Sequence, residues 1–546
     1  MAFNSYVFFL IFLPVVVTGF WILRRYTAGD AAIAWLILGS VVFYAQAGWM
    51  SVIAIAPMMV TSFVAAKLML SRVCALQAHR GALAIVVVVV NITLLGYYKY
   101  HHFFLGNVDN RVMEVVLPLG ISFLAFQNIA FIADVKAGRI RSVDARDYLL
   151  FSLFFPKVVA GPISHYDDVV PQLRSPCQPH SHDLIVGLFL FSIGLFKKAV
   201  IADQLSPHVD EIFAPPPYLL DRPVTAISAW IGVLAYTFQL YFDFSGYSDM
   251  ALGAARMFGV KLPANFNSPL KSRSIIEFWS RWHMTLTRFL TDYVFTPLMM
   301  GVTRYRLRRG KSVLRGRKSS LTAIVSQIAI PTLATMLVSG IWHGVGWSFI
   351  VWGVLHGVYL TVNQSWRIWR PLVWPDDKSY ERLMRPLGSL LTLGCVLLGL
   401  VFFRASSIES AVSILRGMIG VNGFLPYLMQ LLQKLDITTP WQVFTAVQPV
   451  KPILFILVLG VCVLKLPNSL ELVQKYEPAL DFSPSQAADR DQVRALAGVE
   501  RTFGKLSLIR NRGLLIGPML GIVTGCLLAL GFAAIGGGDG FIYGQF

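Results

Sequence analysis

The chain has 546 residues, 55% of them hydrophobic before its 43 glycines are counted and only 14% charged, with a mean hydropathy of +0.62. Soluble domains hold about 45–50% apolar residues with glycine included, so this composition excludes a string of soluble domains and indicates an integral membrane protein. The formal charge of +18 does not point to nucleic acid, because an excess of Lys and Arg in cytoplasmic loops accounts for it in a protein with many spans.

The opening stretch MAFNSYVFFLIFLPVVVTGFWILRR places Arg24 and Arg25 after its apolar run and shows no A-x-A-like cleavage site. It is expected to be a retained first span rather than a signal peptide. A span needs about 20 apolar residues. Candidates follow near residues 5–23, 31–47, 50–70, 82–99, 115–133, 147–163, 184–202, 224–243, 275–298, 321–341, 345–364, 387–404, 452–466 and 513–535. Roughly 11–13 of them are expected to cross fully, with the short 147–163 piece and the amphipathic 275–298 piece the exceptions. No soluble region is long enough for a separate core, so residues 1–546 read as one membrane body whose motifs concentrate between about 115 and 365.

Between the candidate spans, APPPYLLDRP at 214–223 reads as a loop. Residues 304–318, RYRLRRGKSVLRGRK, carry eight basic residues and no acidic one, which assigns them to the cytoplasmic face and to anionic lipid headgroups. The polar stretch of about 467–512 is expected on the same side. Cys74, Cys177, Cys395, Cys462 and Cys526 have no C-x-x-C spacing, so neither a disulfide framework nor a metal site is expected.

Ionisable residues inside spans are costly and often functional. Here they are Lys157, Lys197, Lys198, Asp243, Asp249, His283, His343, His356 and Arg404. Lys197, Lys198 and Arg404 read as residues that snorkel from span ends. In SIIEFWSRWHMTLTRFLTDY, residues 274–293, a continuous helix would gather Glu277, Arg281, Arg288 and Asp292 on one face. His283 would fall in the opposite stripe of Ile276, Trp279, Leu286 and Leu290. It is then either a core histidine bonded to a carbonyl or a residue that handles protons.

Gly246, between Asp243 and Asp249, allows a broken helix or a close backbone approach. The two carboxylates could orient an imidazole or bind a polar substrate, and Ser245 or Asp249 could equally cap a helix. In SGIWHGVGWSFIVWGVLHG, residues 339–357, a continuous helix would set His343 and His356 roughly 220° apart. At most one of them would then face a site. His343 is favoured because Gly344 and Gly346 leave room beside its ring, whereas His356 suits an interhelical hydrogen bond. An imidazole titrates near about 6.5 and can take a hydroxyl proton and return it, as acyl transfer to an alcohol requires. The chain has no G-x-S-x-G elbow, H-E-x-x-H pair or P-loop, which disfavours a serine hydrolase, a zincin and a nucleotide-driven pump.

LPLGISFLAFQ at 117–127, FPKVVAGPISHYDDVVPQL at 155–173, the long block 236–298, the W-H-G segment and the terminal FIYGQF together resemble the membrane-bound O-acyltransferase family. The likeness is to its bacterial branch of alginate O-acetylase subunits. The resemblance implies an all-α polytopic fold, a ring of tilted helices around a central tunnel, in a bacterial inner membrane. It also implies that His343 is catalytic and that His283 is its partner, with Trp342, Trp282, Asp243 and Asp249 as candidates for orienting substrate or imidazole. Acetyl-CoA is the implied donor, with no permanently bound cofactor and no metal. A periplasmic SGNH-type acetyltransferase, membrane lipids and a polysaccharide synthase complex are the implied partners. His165 and Gly544 depart from the alginate pattern, which leaves alginate, cellulose, another exopolysaccharide and peptidoglycan open as the polymer. The rival readings are a D-alanyl transferase of the same fold fed by an acyl carrier protein, and a polysaccharide exporter or flippase.

Overall fold

The structure, a computed structural model, describes residues 2–27, 29–46, 48–73, 78–105, 118–175, 180–215, 224–423, 451–480, 482 and 516–535. Cys74, Cys177, FIYGQF, residues 216–223 of the Pro-rich loop and most of the 467–512 stretch lie outside the described residues. Among the described residues the chain is helical, and its one isolated β-bridge pairs Pro263 with Leu480.

Among the described residues six helices are long and apolar enough to cross a membrane, and Asp30–Ala45 and Gly521–Ala534 are shorter apolar ones. The six are Phe8–Tyr26, Trp49–Met69, Arg80–Tyr100, Ser181–Phe213, Leu321–His343 and Asp377–Arg404. Other expected spans are helical but interrupted or less apolar. The 147–163 piece divides into Ala145–Leu153 and Phe155–Val158. The 275–298 piece stops at Trp279 and resumes at Met284. Helices dominate because a segment in hydrocarbon must satisfy every backbone N–H and C=O internally.

The chain divides into two compact units: residues 1–200, 244–265 and 469–546 form the first, and residues 201–243 and 266–468 the second. The helix Ala226–Arg256 contributes to both, changing unit after Asp243.

In the first unit, the rings of Phe8, Phe12, Phe43, Phe155 and Phe191 form a core, with centroids of contacting pairs 5.2–6.1 Å apart. Beside it Lys157 is fully buried. Its Nζ donates to Gln127 Oε1 at 2.6 Å and lies 3.9 Å from the centroid of the Phe151 ring. Burying an ammonium is tolerable only with such partners.

Glycine sets a close helix contact in this unit. Gly187 and Gly194 are two turns apart on one helix, Gly246 and Gly253 two turns apart on the other, so each pair shares a face. A Cβ on Gly194 would stand 2.4 Å from the Gly246 carbonyl oxygen, and one on Gly187 2.6 Å from that of Gly253. Backbone meets backbone, the contact that small residues permit between membrane helices. Helix Ala226–Arg256 is therefore unbroken at Gly246, and the two alternatives that required an interruption, a broken helix and a cap at Ser245 or Asp249, do not hold.

In the second unit, Ile330–His343 and Trp347–Val373 pack antiparallel by the same device. A Cβ on Gly340 would lie 2.4 Å from the Phe349 oxygen, and one on Gly353 2.6 Å from the Met336 oxygen. One of the eight basic residues of 304–318 is structural. Arg306 is buried and donates to Ser312 O at 2.7 Å, Ser326 Oγ at 2.9 Å and Thr322 O at 3.2 Å, stapling the loop to the next helix.

Gly194→Leu should destabilise the protein by about 1–3 kcal/mol or more through overpacking, read as a lower melting temperature in detergent. Gly96→Ala, where a Cβ meets nothing within 4 Å, should leave the melting temperature unchanged.

Candidate active site

Both candidate histidines sit where a helix stops. His343 is the last residue of Ile330–His343. Gly344 is extended, Gly346 has φ 135°, and a new helix starts at Trp347. The expected continuous helix is thus broken, and its physical reason is local. A Cβ on Gly344 would lie 2.1 Å from the Phe349 ring, and the φ of Gly346 is one that side chains rarely adopt. These glycines make a tight turn capped by Phe349; the space beside Gly344 holds that ring rather than room for a substrate.

The break also removes the helical phase that separated His343 from His356. Trp352 contacts both rings, with centroids 4.9 Å from His343 and 5.0 Å from His356. Phe403 lies 5.1 Å from His343 on a further side. His356 is the interhelical hydrogen-bonding residue expected of it: Trp279 Nε1 donates to its Nδ1 at 3.3 Å. That bond makes Nδ1 the acceptor and leaves the ring proton on Nε2 in the neutral form.

His283 is fully buried with φ 43° and ψ 52°. This left-handed conformation is uncommon outside glycine and costs roughly 1–3 kcal/mol, so it persists only where its surroundings impose it. Here they do. Trp282 N donates to Phe278 O at 2.8 Å, Asn267 N donates to Arg281 O at 2.9 Å, and Thr287 N donates to His283 O at 3.0 Å. Trp282 is wedged between Phe278 and Phe266, with ring centroids 5.7 and 5.1 Å away. It serves the turn as packing. The expected Glu277 to Arg281 pair is present at 2.8 Å, whereas His283 owes its burial to the break between two helices, not to an apolar stripe on one.

Trp342 joins the two histidines. Its ring centroid is 4.7 Å from that of His343, its chain neighbour, and 6.4 Å from that of His283. His283, Trp342, His343, Trp352 and Phe403 all belong to the second unit. Asp243, completely buried, belongs to this unit as well.

Asp249 lies in the first unit, where Lys197 Nζ contacts its Oδ2 at 2.7 Å and also donates to Ser469 Oγ at 3.1 Å. Lys197, its side chain 12% exposed, is therefore the ion-pair partner of the buried Asp249 rather than a snorkelling residue. Arg404 pairs with Asp210 at 3.1 Å. His165, one of the departures noted above, caps Tyr166–Arg174 and faces Asp134 Oδ2 at 3.4 Å.

Trp352, Phe349 and Phe403 were not singled out from the sequence, and Trp279 was read only as part of an apolar stripe. Trp352 and His356 stand four apart on one helix, a spacing that signals contact. The roles of Phe403 and Phe349 arise from packing that no local spacing encodes.

A sequence profile described as MBOAT, membrane-bound O-acyltransferase family, matches residues 42–314 and 324–385. The chain belongs to the membrane-bound O-acyltransferase family and is an acyltransferase. It is 36% identical over 461 residues to the peptidoglycan O-acetyltransferase of Helicobacter pylori, covering 78% of this chain and 80% of the relative. It is 33% identical over 425 residues to the probable alginate O-acetylase AlgI of Pseudomonas aeruginosa, covering 75% and 73%. The teichoic acid D-alanyltransferase of Streptococcus thermophilus is 28% identical over 309 residues, covering 54% and 70%.

Lys197→Met should cost about 3–5 kcal/mol because it strands the buried Asp249 carboxylate, whereas Lys197→Met with Asp249→Leu should cost much less. Melting temperatures of the two variants check this. If the double variant is as stable as the wild type but inactive, Asp249 serves catalysis. Gly344→Ala should lower transfer activity sharply in protein that still inserts. Phe349→Leu should restore part of it, a non-additivity expected of residues in contact.

Proposed function

We propose that this protein moves an acetyl group from acetyl-CoA on the cytoplasmic side of a bacterial inner membrane toward a hydroxyl on the opposite side, for O-acetylation of a cell-envelope glycan. The observation that carries this is a buried imidazole, His343, held at a helix end among Trp342, Trp352 and Phe403, with His283 across Trp342. The relatives named as O-acetyltransferases match more of the chain, at higher identity, than the D-alanyltransferase does, which favours acetyl over D-alanyl. Family membership favours acyl transfer over export.

In this reading His343 is the general base. It takes the acceptor hydroxyl proton as the oxygen attacks the thioester carbonyl, the C–S bond breaks, and the proton passes to the departing thiolate. The C-terminal end of Ile330–His343 presents the negative end of the helix dipole to the ring. That stabilises positive charge developing on it by roughly 0.3–1 kcal/mol. His283, rigid in its left-handed turn, aligns or relays. Dry aromatic walls strengthen each of these electrostatic interactions. Asp243 is a further orienting candidate. A periplasmic SGNH-type acetyltransferase would complete transfer onto the polymer, and the names of two relatives, a peptidoglycan O-acetyltransferase and a probable alginate O-acetylase, support peptidoglycan or an exopolysaccharide such as alginate or cellulose.

His343→Ala should lower polymer acetylation by about 10²–10⁴-fold, the usual share of general acid–base catalysis, with the protein inserted at normal abundance. Ester acetate released from the polymer by mild alkali gives the readout, and undiminished release would defeat the assignment. Labelled acetyl-CoA supplied to inverted vesicles tests the donor separately.

A further inference from the structure

A groove of about 1070 Å³ opens between the C-terminal half of Trp347–Val373, the N-terminal half of Asp377–Arg404 and residues Arg273–Ser280, all in the second unit. Its lining does not include His283 or His343, so it is distinct from the candidate active site.

Polarity changes along the groove in one direction on both helices. On Asp377–Arg404, Lys378, Arg382 and Arg385 line the first turns, and Leu391, Thr392 and Cys395 line it further in. At 1.5 Å per residue, Arg385 and Leu391 are about 9 Å apart along the axis. On Trp347–Val373, Arg367 and Trp366 lie near the end, Val362 and Tyr359 one to two turns deeper. Val362 and Leu391 are 62% and 54% exposed, as side chains facing lipid are.

The charged end coincides with a membrane–water boundary. Because Trp347–Val373 runs antiparallel to Ile330–His343, its basic end returns to the side of the basic 304–318 loop, and Asp377–Arg404 starts there. Trp366 Nε1 donates to the Tyr380 hydroxyl at 2.9 Å on the rim, and Trp and Tyr concentrate at such interfaces. Five cations and two carboxylates line the groove. One of those carboxylates, Glu277, is already paired with Arg281 at 2.8 Å. The net field at the rim favours an anion.

We propose that this groove holds an anionic phospholipid of the leaflet at the basic end, its phosphate between Arg367, Lys378, Arg382 and Arg385 and its acyl chains along Val362 and Leu391. The cations select the phosphate, and the exposed apolar residues below them select an amphiphile over a free phosphate. The site does not depend on the acyl-transfer reading.

The test uses the full chain in nanodiscs of phosphatidylcholine doped with phosphatidylglycerol, followed by detergent extraction and native mass spectrometry of the retained lipid. Wild-type protein should retain phosphatidylglycerol in preference to phosphatidylcholine. Arg382→Gln and Arg385→Gln should each lower that retention about fivefold, as a contribution of about 1 kcal/mol per cation implies. Arg382→Lys with Arg385→Lys should keep it, and Arg317→Gln on the basic loop should leave it unchanged. Equal retention of the two lipids, or unchanged retention in both Gln variants, overturns the proposal. Release of the lipid by millimolar coenzyme A, but not by salt of equal ionic strength, would assign the phosphate to a soluble nucleotide and overturn the lipid as occupant.

Discussion

Away from water, a helix can stop only where the protein itself satisfies or covers the freed backbone groups, and both candidate histidines occupy such stops. The last turn of Ile330–His343 is closed by a Gly344 whose only space for a Cβ is filled by Phe349. The turn at His283 is tied to Phe278, Asn267 and Thr287 by backbone hydrogen bonds. Each break frees a ring from helical phase and lets it be aimed by tertiary packing. A continuous helix would have placed each imidazole where its own neighbours dictate. The broken one places Trp342 between His283 and His343.

The same small residue does opposite work elsewhere. Gly187, Gly194, Gly246 and Gly253 keep two helices whole and close, and that closeness brings Lys197 to Asp249. An ion pair whose carboxylate is buried contributes little net stability, yet removing its cation leaves that charge uncompensated. Asp249 pairs with Lys197 within the first unit, and Asp243, on the same helix, belongs to the second unit, as the histidines do.

Much of the fold was legible in the sequence because hydrophobic length is a strong signal in membranes. The positions of the helices near 5–23, 50–70, 321–341 and 387–404 follow directly from it. What failed was continuity. Residues 274–293 and 339–357 both carry helical periodicity, but periodicity does not report a backbone turn enforced by the packing of Phe349 or by Asn267. The room read beside Gly344 holds Phe349, whereas the space beside Gly346 is open. His343 and His283 were found for reasons of residue type and family likeness, whereas the contacts of Phe403 and Trp352 with His343 join separate helices and have no local signal.

With phase gone as a criterion, the difference between His343 and His356 rests on what surrounds each ring nitrogen. His356 accepts from the Trp279 indole at Nδ1, and its Nε2 lies 2.5 Å from where a Cβ on Gly399 would stand. Both edges of that imidazole are therefore occupied, one by a hydrogen bond and the other by a neighbouring backbone. A ring so enclosed has no edge on which to receive a substrate proton. It braces Trp352, which in turn braces His343. Two histidines that looked like competitors for one role thus form a sequence of support, with His356 holding the wall against which His343 would work.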